Sequence, residues 1–157
     1  MHDDAHYMQL ALDACRAGVE KGQSPFGAAI VSADGELLAV EHNTCRSDKD
    51  PTAHAEVQAI RAACQKVQHR YLDGATVYAT TEPCPMCFTA SHWASVKRIV
   101  YAASIADAAR FGFRQLEIST DQLKTLGRAD MEIVPDFMRD ASVALFELWS
   151  EKNGSLS

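Results

Sequence analysis

The chain has 157 residues, of which 47% are hydrophobic and 23% charged, and its formal net charge is −6 with a pI of about 5.4. This composition predicts one soluble globular domain covering residues 1–157, and its apolar runs are too short to span a bilayer. The first ten residues lack the basic and apolar regions of a secretory signal, so we expect a cytoplasmic protein. The excess of 21 acidic over 15 basic residues argues against a nucleic-acid partner.

The N-terminal part predicts a helix followed by a hairpin. Residues 4–20 repeat apolar side chains at helical spacing, and Gly22 is expected to end that helix. The apolar stretches 25–31 and 36–43 predict two strands, joined by a turn at Asp34–Gly35.

A second helix is expected to begin at Pro51. Asp50 is a typical N-cap residue, and proline is favoured at the first helical position. The predicted buried face repeats at steps of three and four residues: Ala53, Val57, Ile60, Cys64 and Val67.

The middle of the chain predicts a crossover between parallel strands. Residues 75–80 and 98–103 have the composition of strands, and residues 84–95 between them are expected to be helical. Because a strand, helix and strand in this order form a parallel unit while the earlier hairpin is antiparallel, we expect a mixed sheet covered by helices.

The C-terminal third is harder to interpret. Residues 104–128 predict short helices, one of them capped by Thr120 and ended by Gly127, and residues 131–134 predict a last strand. Pro135 is expected to open a final helix. Its predicted inner face consists of Phe137, Ala141, Leu145 and Leu148.

A C-x2-C pair predicts a metal site. The chain has five cysteines, an odd number that argues against a disulfide framework, and Cys84 and Cys87 form the pair. Two thiolates at this spacing at a helix start point the same way, and His54 can complete a Cys2His set suited to zinc. No fourth ligand is evident in the sequence, which predicts an open, catalytic zinc rather than a closed, structural one.

Glu56 is the unexpected residue of the second helix, because desolvating a carboxylate beside a buried face is costly. On a helix, His54 and Glu56 would lie about 160° apart around the axis, so they are not expected to hold one ion together. The pattern instead predicts His54 as a ligand and Glu56 as a proton carrier that faces water and substrate. Hydrolysis of an amino-heterocycle requires such a carrier.

The H-x-E…P-C-x-x-C arrangement resembles the cytidine-deaminase-like superfamily of zinc deaminases. The segments PFGAAIV, HN, DPTAHAEVQAIRAAC, TTEPCPMC and HWASVKRIVYAA look like the bacterial guanine deaminase and nucleoside deaminase branch, with tRNA adenosine deaminases as close relatives. This resemblance extends over residues 10–103. It implies a three-layer α/β/α sandwich with a five-stranded mixed sheet, one Zn²⁺ in each chain and assembly as a homodimer.

The resemblance also implies roles for individual residues. His54, Cys84 and Cys87 would bind zinc, and Glu56 would carry protons. The implied substrate contacts come from the side chains of Asn43, Phe26 and Trp93 and from the backbone N–H of Ala55.

One motif departs from the branch. Guanine deaminases of this type carry two aspartates after a Gly-Phe pair, whereas this chain has Arg114 and Gln115 there. We expect Gln115 to contact the substrate at this position, although a solvated loop remains the alternative.

These observations predict zinc-dependent hydrolytic deamination of a free purine base or nucleoside, with guanine as the first candidate. A tRNA adenosine-to-inosine deaminase and a cytosine or triazine amine deaminase are alternatives within the same class. A non-catalytic, zinc-stabilised interaction module is the alternative outside it.

Overall fold

The computed structural model describes residues 3–153. Its elements, in chain order, are α1 (Asp4–Glu20), β1 (Gly27–Val31), β2 (Leu37–His42), α2 (Cys45–Asp48), α3 (Ala55–Val67), β3 (Thr76–Thr81), α4 (Pro85–Trp93), β4 (Arg98–Ala103), α5 (Ile105–Ala109), α6 (Thr120–Gly127), β5 (Glu132–Val134) and α7 (Arg139–Asn153). Over these residues no helix combines the length and apolar character needed to cross a bilayer.

The five strands form one sheet in the order β2-β1-β3-β4-β5. Strand β1 pairs antiparallel with both β2 and β3, while β3 pairs parallel with β4, and β4 parallel with β5. The predicted crossover is therefore confirmed, with α4 connecting the parallel strands β3 and β4. The predicted mixed, five-stranded sheet is confirmed as well.

Helices cover both faces of the sheet. Successive side chains of a strand point to opposite faces, so each buried strand contributes to two apolar clusters. In β1, Ala28 and Ile30 belong to the apolar cluster packed by α3 and α4, whereas Ala29 and Val31 belong to the cluster packed by α1 and α7. The fold is thus the expected α/β/α sandwich.

Gly27 allows α1 to approach the sheet closely. A Cβ atom at this position would clash with the carbonyl oxygen of Ala11 and lie 2.8 Å from the backbone nitrogen of Cys15. The glycine of the PFGA segment is therefore required by packing, since any side chain would push α1 away from β1.

The start of α3 differs from the prediction. The helix begins at Ala55, because the Asp50 carboxylate accepts hydrogen bonds from the N–H and hydroxyl of Thr52 and so caps a turn instead of a helix. The predicted buried face is confirmed in part: Ala53 is buried and Ile60 and Cys64 pack against the core, whereas Val67 is 41% exposed. The face against the sheet consists of Ala55, Glu56, Ala59 and Ala63.

Helix α6 is capped one residue earlier than expected. The side chain of Ser119 accepts a hydrogen bond from the N–H of Gln122, and the side chain of Gln122 accepts one from the Ser119 N–H. Thr120 is instead the first helical residue, and its N–H and hydroxyl both bond to Glu82.

Helix α7 begins later than expected, at Arg139. Asp136 and Met138 have φ values of 58° and 57°, which lie outside the right-handed helical region and prevent Pro135 from opening the helix. Ala141 is exposed, contrary to the prediction. The buried face consists of Ser142, Leu145, Phe146 and Trp149.

Candidate metal centre and cavity

Two helix N-termini bring the predicted metal ligands together. His54 is the N-cap of α3 and Cys84 is the N-cap of α4, both with extended backbone and neither using its side chain to cap the helix. Cys87 lies in the first turn of α4, three residues after Cys84. Because side chains at these two positions of a helix lie next to each other, the C-x2-C spacing directs both sulfurs to one point.

The three ligand atoms have the separation that zinc requires. Nδ1 of His54 lies 3.6 Å from Sγ of Cys84 and 3.5 Å from Sγ of Cys87. A tetrahedral zinc about 2.3 Å from sulfur and about 2.0–2.1 Å from nitrogen sets N···S distances of about 3.5 Å. These residues therefore fit zinc. They form the one cluster of three or more candidate ligands within residues 3–153, and Glu56 is not part of it.

The site favours a thiolate at Cys84. A hydrogen bond from the thiol of Cys87 outweighs burial and, with a smaller contribution from His54, lowers the pKa of Cys84 to about 4. The same interaction, together with burial, raises the pKa of Cys87 well above its usual value. A dication would change this balance, since a coordinating thiol loses its proton outright.

Glu56 lies beside the ligands as a buried carboxylate, only 6% exposed. Burial raises its pKa to about 7, although the nearby His54 acts in the opposite direction. The helical angle used to separate Glu56 from His54 does not apply, because His54 precedes the helix. Glu56 and His54 both line the same cavity, while their roles as proton carrier and metal ligand stay predictions.

That cavity has a volume of about 420 Å³, which is typical of a small-molecule site. Asn43 lines it, and the Asn43 side-chain oxygen accepts a hydrogen bond from the N–H of Cys45 at 3.0 Å. Its amide NH₂ is then the group available to a ligand, so Asn43 would act as a donor. Two further bonds fix its backbone, from its own N–H to the carbonyl of Phe26 and from Nδ1 of His42 to its carbonyl.

The other predicted substrate contacts fall into two groups. Phe26 and Gln115 line the cavity, and the ring of Phe26 also packs edge-on against Phe113 with centroids 5.2 Å apart. Trp93 does not line the cavity of its own chain and is 73% exposed. Ala55 is fully buried at the first position of α3, where a backbone N–H has no partner within the helix. The proposed contact from its N–H stays a prediction.

Several cavity residues were not predicted from the sequence. Met86 lies between the two cysteine ligands and Cys45 lies two residues after Asn43, positions that could have signalled them, whereas Thr81 carries no sequence signal for this role. The unpredicted lining residues are Ser24, Cys45, Pro51, Thr81, Glu82, Pro85, Met86, Phe113 and Leu116.

Comparison with known proteins gives a family match. Residues 1–103 match the family model described as the cytidine and deoxycytidylate deaminase zinc-binding region. This range includes the three candidate ligands and Glu56.

Named relatives match the same part of the chain. Guanine deaminase of Bacillus subtilis is 46% identical over 66% of this chain, and a tRNA-specific adenosine deaminase of Aquifex aeolicus is 39% identical over 62% of it. The chain spans 64% of the length of each of these relatives. A solved structure in complex with 8-azaguanine has a TM-score of 0.89, with 26% identity over 97% of this chain and 86% of the other.

Proposed function

The chain belongs to the cytidine and deoxycytidylate deaminase zinc-binding family, and we propose that it acts as a single deaminase domain that hydrolyses the amino group of a small heterocycle, with guanine as the first substrate to test. One observation carries this proposal: the buried carboxylate of Glu56 lines the same cavity as the His54 and Cys84 ligands. A purely structural zinc site gives no reason to bury a carboxylate there.

The chemistry divides between the metal and Glu56. Zinc held by His54, Cys84 and Cys87 would supply a Lewis acid that makes water nucleophilic near neutral pH. The Glu56 carboxylate accepts a proton from the attacking water and delivers it to a ring nitrogen of the substrate. It then transfers the second proton of that water to the departing amino nitrogen, which leaves as ammonia. Without metal, burial raises the pKa of Glu56 to about 7, and a dication beside it would favour the carboxylate form that accepts the water proton.

The cavity walls would orient the heterocycle. The available NH₂ of Asn43 donates to a ring nitrogen or carbonyl oxygen, and the ring of Phe26 packs on the apolar part of the substrate. Arg114 and Gln115 also line the cavity, at the two positions where the resemblance to guanine deaminases implies aspartates. An arginine there favours a substrate with a carbonyl or anionic edge.

Guanine has a carbonyl on its ring, and two comparisons support testing it first. They are the Bacillus subtilis relative that is named guanine deaminase and the structural neighbour that binds 8-azaguanine.

The test is an ammonia-release panel with zinc-loaded protein. It covers guanine, guanosine, adenine, adenosine, cytosine, cytidine and amino-triazines, with Glu56→Gln as the inactive control. Release from at least one amine, abolished in Glu56→Gln, supports the proposal. If no amine releases ammonia, or if Glu56→Gln retains full activity, the chain is not a deaminase of this kind.

Editing of tRNA adenosine is the second candidate, because a relative 39% identical is named as a tRNA-specific adenosine deaminase. It predicts tight binding to tRNA that weakens steeply with salt, since phosphate contacts dominate such affinities. The net charge of −6 argues against it, and so does α7, where Arg139 and Lys152 are outnumbered by Asp140, Glu147 and Glu151. Absent or salt-independent binding would exclude this function.

The proposed enzyme is a cytoplasmic homodimer. Its five cysteines are free thiols, which is typical of a reducing compartment. At the C-terminal end of α4, Trp93 is 73% exposed, and tryptophan is enriched at protein interfaces. Light scattering would test the dimer, and Trp93→Arg should yield monomers. A wild-type monomer at micromolar concentration would contradict it.

A further inference from the structure

Glu82 is a second buried carboxylate next to the metal ligands, and the proton-transfer chemistry does not use it. It follows Thr81, the last residue of β3, precedes Cys84 by two residues and is 5% exposed. Within residues 3–153 no lysine or arginine forms an ion pair with it. The cost of burying its charge must therefore be offset by neutral hydrogen-bond donors.

Both carboxylate oxygens of Glu82 are occupied. Oε1 accepts a hydrogen bond from the N–H of Ile105 at 3.1 Å. Oε2 accepts two bonds of 2.9 Å, one from the N–H and one from the hydroxyl of Thr120. One side chain thus joins the first residue of α5 to the first residue of α6.

The two anchored residues enclose one stretch of chain, residues 106–119, which we call the cavity segment. Four consecutive residues within it line the cavity, from Phe113 to Leu116. Its middle is held by ring packing, with the Phe113 centroid 5.2 Å from that of Phe26 and 4.7 Å from that of Trp149. Glu82 therefore fixes both ends of the segment to the turn that carries the metal-binding cysteines.

We propose that Glu82 is a positioning residue that sets the distance between the metal centre and the substrate-facing wall formed by the cavity segment. Glu82 also lines the cavity, but hydrogen bonds from Ile105 and Thr120 already occupy both of its oxygens. It therefore acts through these two residues and not through a bond to the substrate. Glutamine cannot replace it, because one of the two anchored N–H groups would then face an NH₂ donor. The kinetic consequence of this role rests on the deaminase function proposed above, whereas its structural consequence does not.

The test compares full-length, zinc-loaded wild type, Glu82→Gln and Thr120→Val, with Glu147→Gln on the exposed face of α7 as the matched control. Glu82→Gln should accelerate hydrogen exchange in peptides covering residues 105–120 and leave peptides of α3 unchanged. Its zinc content should stay at that of wild type. With guanine as substrate, KM should rise about tenfold while kcat changes less than about threefold, because one buried hydrogen bond is lost from substrate positioning.

Thr120→Val removes only the hydroxyl bond and should cause a smaller change in the same peptides. Glu147→Gln should behave as wild type throughout. Unchanged exchange over residues 105–120 in both site variants would overturn the proposal. Accelerated exchange over the whole chain would also overturn it, because that indicates a general structural role. A fall in kcat at constant KM would overturn it too, because that indicates a direct chemical role. If wild type deaminates no amine, the function proposed above fails, and the exchange experiment still decides the role of Glu82.

Discussion

The variant Glu56→Gln tests two properties of this carboxylate separately. Its unfolding free energy without metal reports the cost of burying the charge, and its kcat with zinc reports the role in proton transfer. Burial raises the pKa of Glu56 from 4.5 to about 7 in the metal-free protein. The folded state therefore keeps its proton at pH values where the unfolded state has lost it. The contribution of Glu56 to the free energy of unfolding is therefore most favourable below pH 4.5. It becomes less favourable as the pH rises to about 7, because the unfolded state then binds fewer protons than the folded one.

The size of the effect follows from the two pKa values. A rise from 4.5 to about 7 corresponds to about 3 kcal/mol, at about 1.4 kcal/mol for each pH unit. Metal-free Glu56→Gln does not titrate there and should be more stable than metal-free wild type by up to about 3 kcal/mol at pH 8, but by less than about 1 kcal/mol at pH 5. The lowered pKa of Cys84 also makes stability depend on pH, and it is common to both proteins.

Urea unfolding after chelation, at pH 5 and pH 8, measures this difference. The same variant loaded with zinc should lose about 10²- to 10⁴-fold in kcat, the usual contribution of a general acid–base group. Glu147→Gln is the matched control and should change neither quantity. A stability difference that is equal at both pH values, or a destabilised Glu56→Gln at pH 8, would refute the reasoning from burial.

Three further predictions concern the metal, the core and an ion pair. Cys87→Ser should lose zinc on dialysis and lose activity with it, measured by metal analysis and ammonia release, because serine is a poor zinc ligand at neutral pH. Gly27→Ala should destabilise the fold by at least about 2 kcal/mol in urea unfolding, since its methyl group would clash with the backbone of α1. Hydrogen bonds from Arg139 hold the pKa of Asp107 well below its usual value, so they stabilise the fold above pH 4 and the effect is lost as the pH falls through the lowered pKa. Arg139→Gln should therefore lower the Tm at neutral pH and have much less effect below the lowered pKa of Asp107, as followed by thermal unfolding.

The metal and core variants each have a matched control. Cys64→Ser lies away from the metal centre and should retain zinc. Gly127→Ala meets no atom within 4 Å and should not destabilise α6. Zinc retention by Cys87→Ser, wild-type stability of Gly27→Ala, or an Arg139→Gln effect that persists unchanged in acid would contradict the corresponding argument.

Local spacing along the chain predicted the main elements and the residue types of the candidate metal site. Helices repeat every 3.6 residues and strands every two, so α1, the hairpin and the β3–α4–β4 crossover could be inferred from the order of apolar residues. Cys84 and Cys87 are three positions apart at a helix start, and that geometry brings two sulfurs together in any fold. The residue types then indicated zinc, and the resemblance of the surrounding motifs indicated a deaminase.

Tertiary structure decided where helices begin, which of their faces is buried and which distant side chains form hydrogen bonds. The Asp50 side chain, expected to cap a helix, caps a turn instead, and α3 begins at Ala55. The alanines of α3 face the sheet, because close packing on β1 and β2 favours small side chains there. The sequence could not predict that the Asn43 oxygen would be occupied by Cys45, or that Glu82 would join α5 to α6. Such contacts unite residues far apart in the chain, and their partners exist only once the helices have packed on the sheet. Sequence determined the ligand types and the reaction class they suit, whereas packing determined the cavity that a substrate must fit.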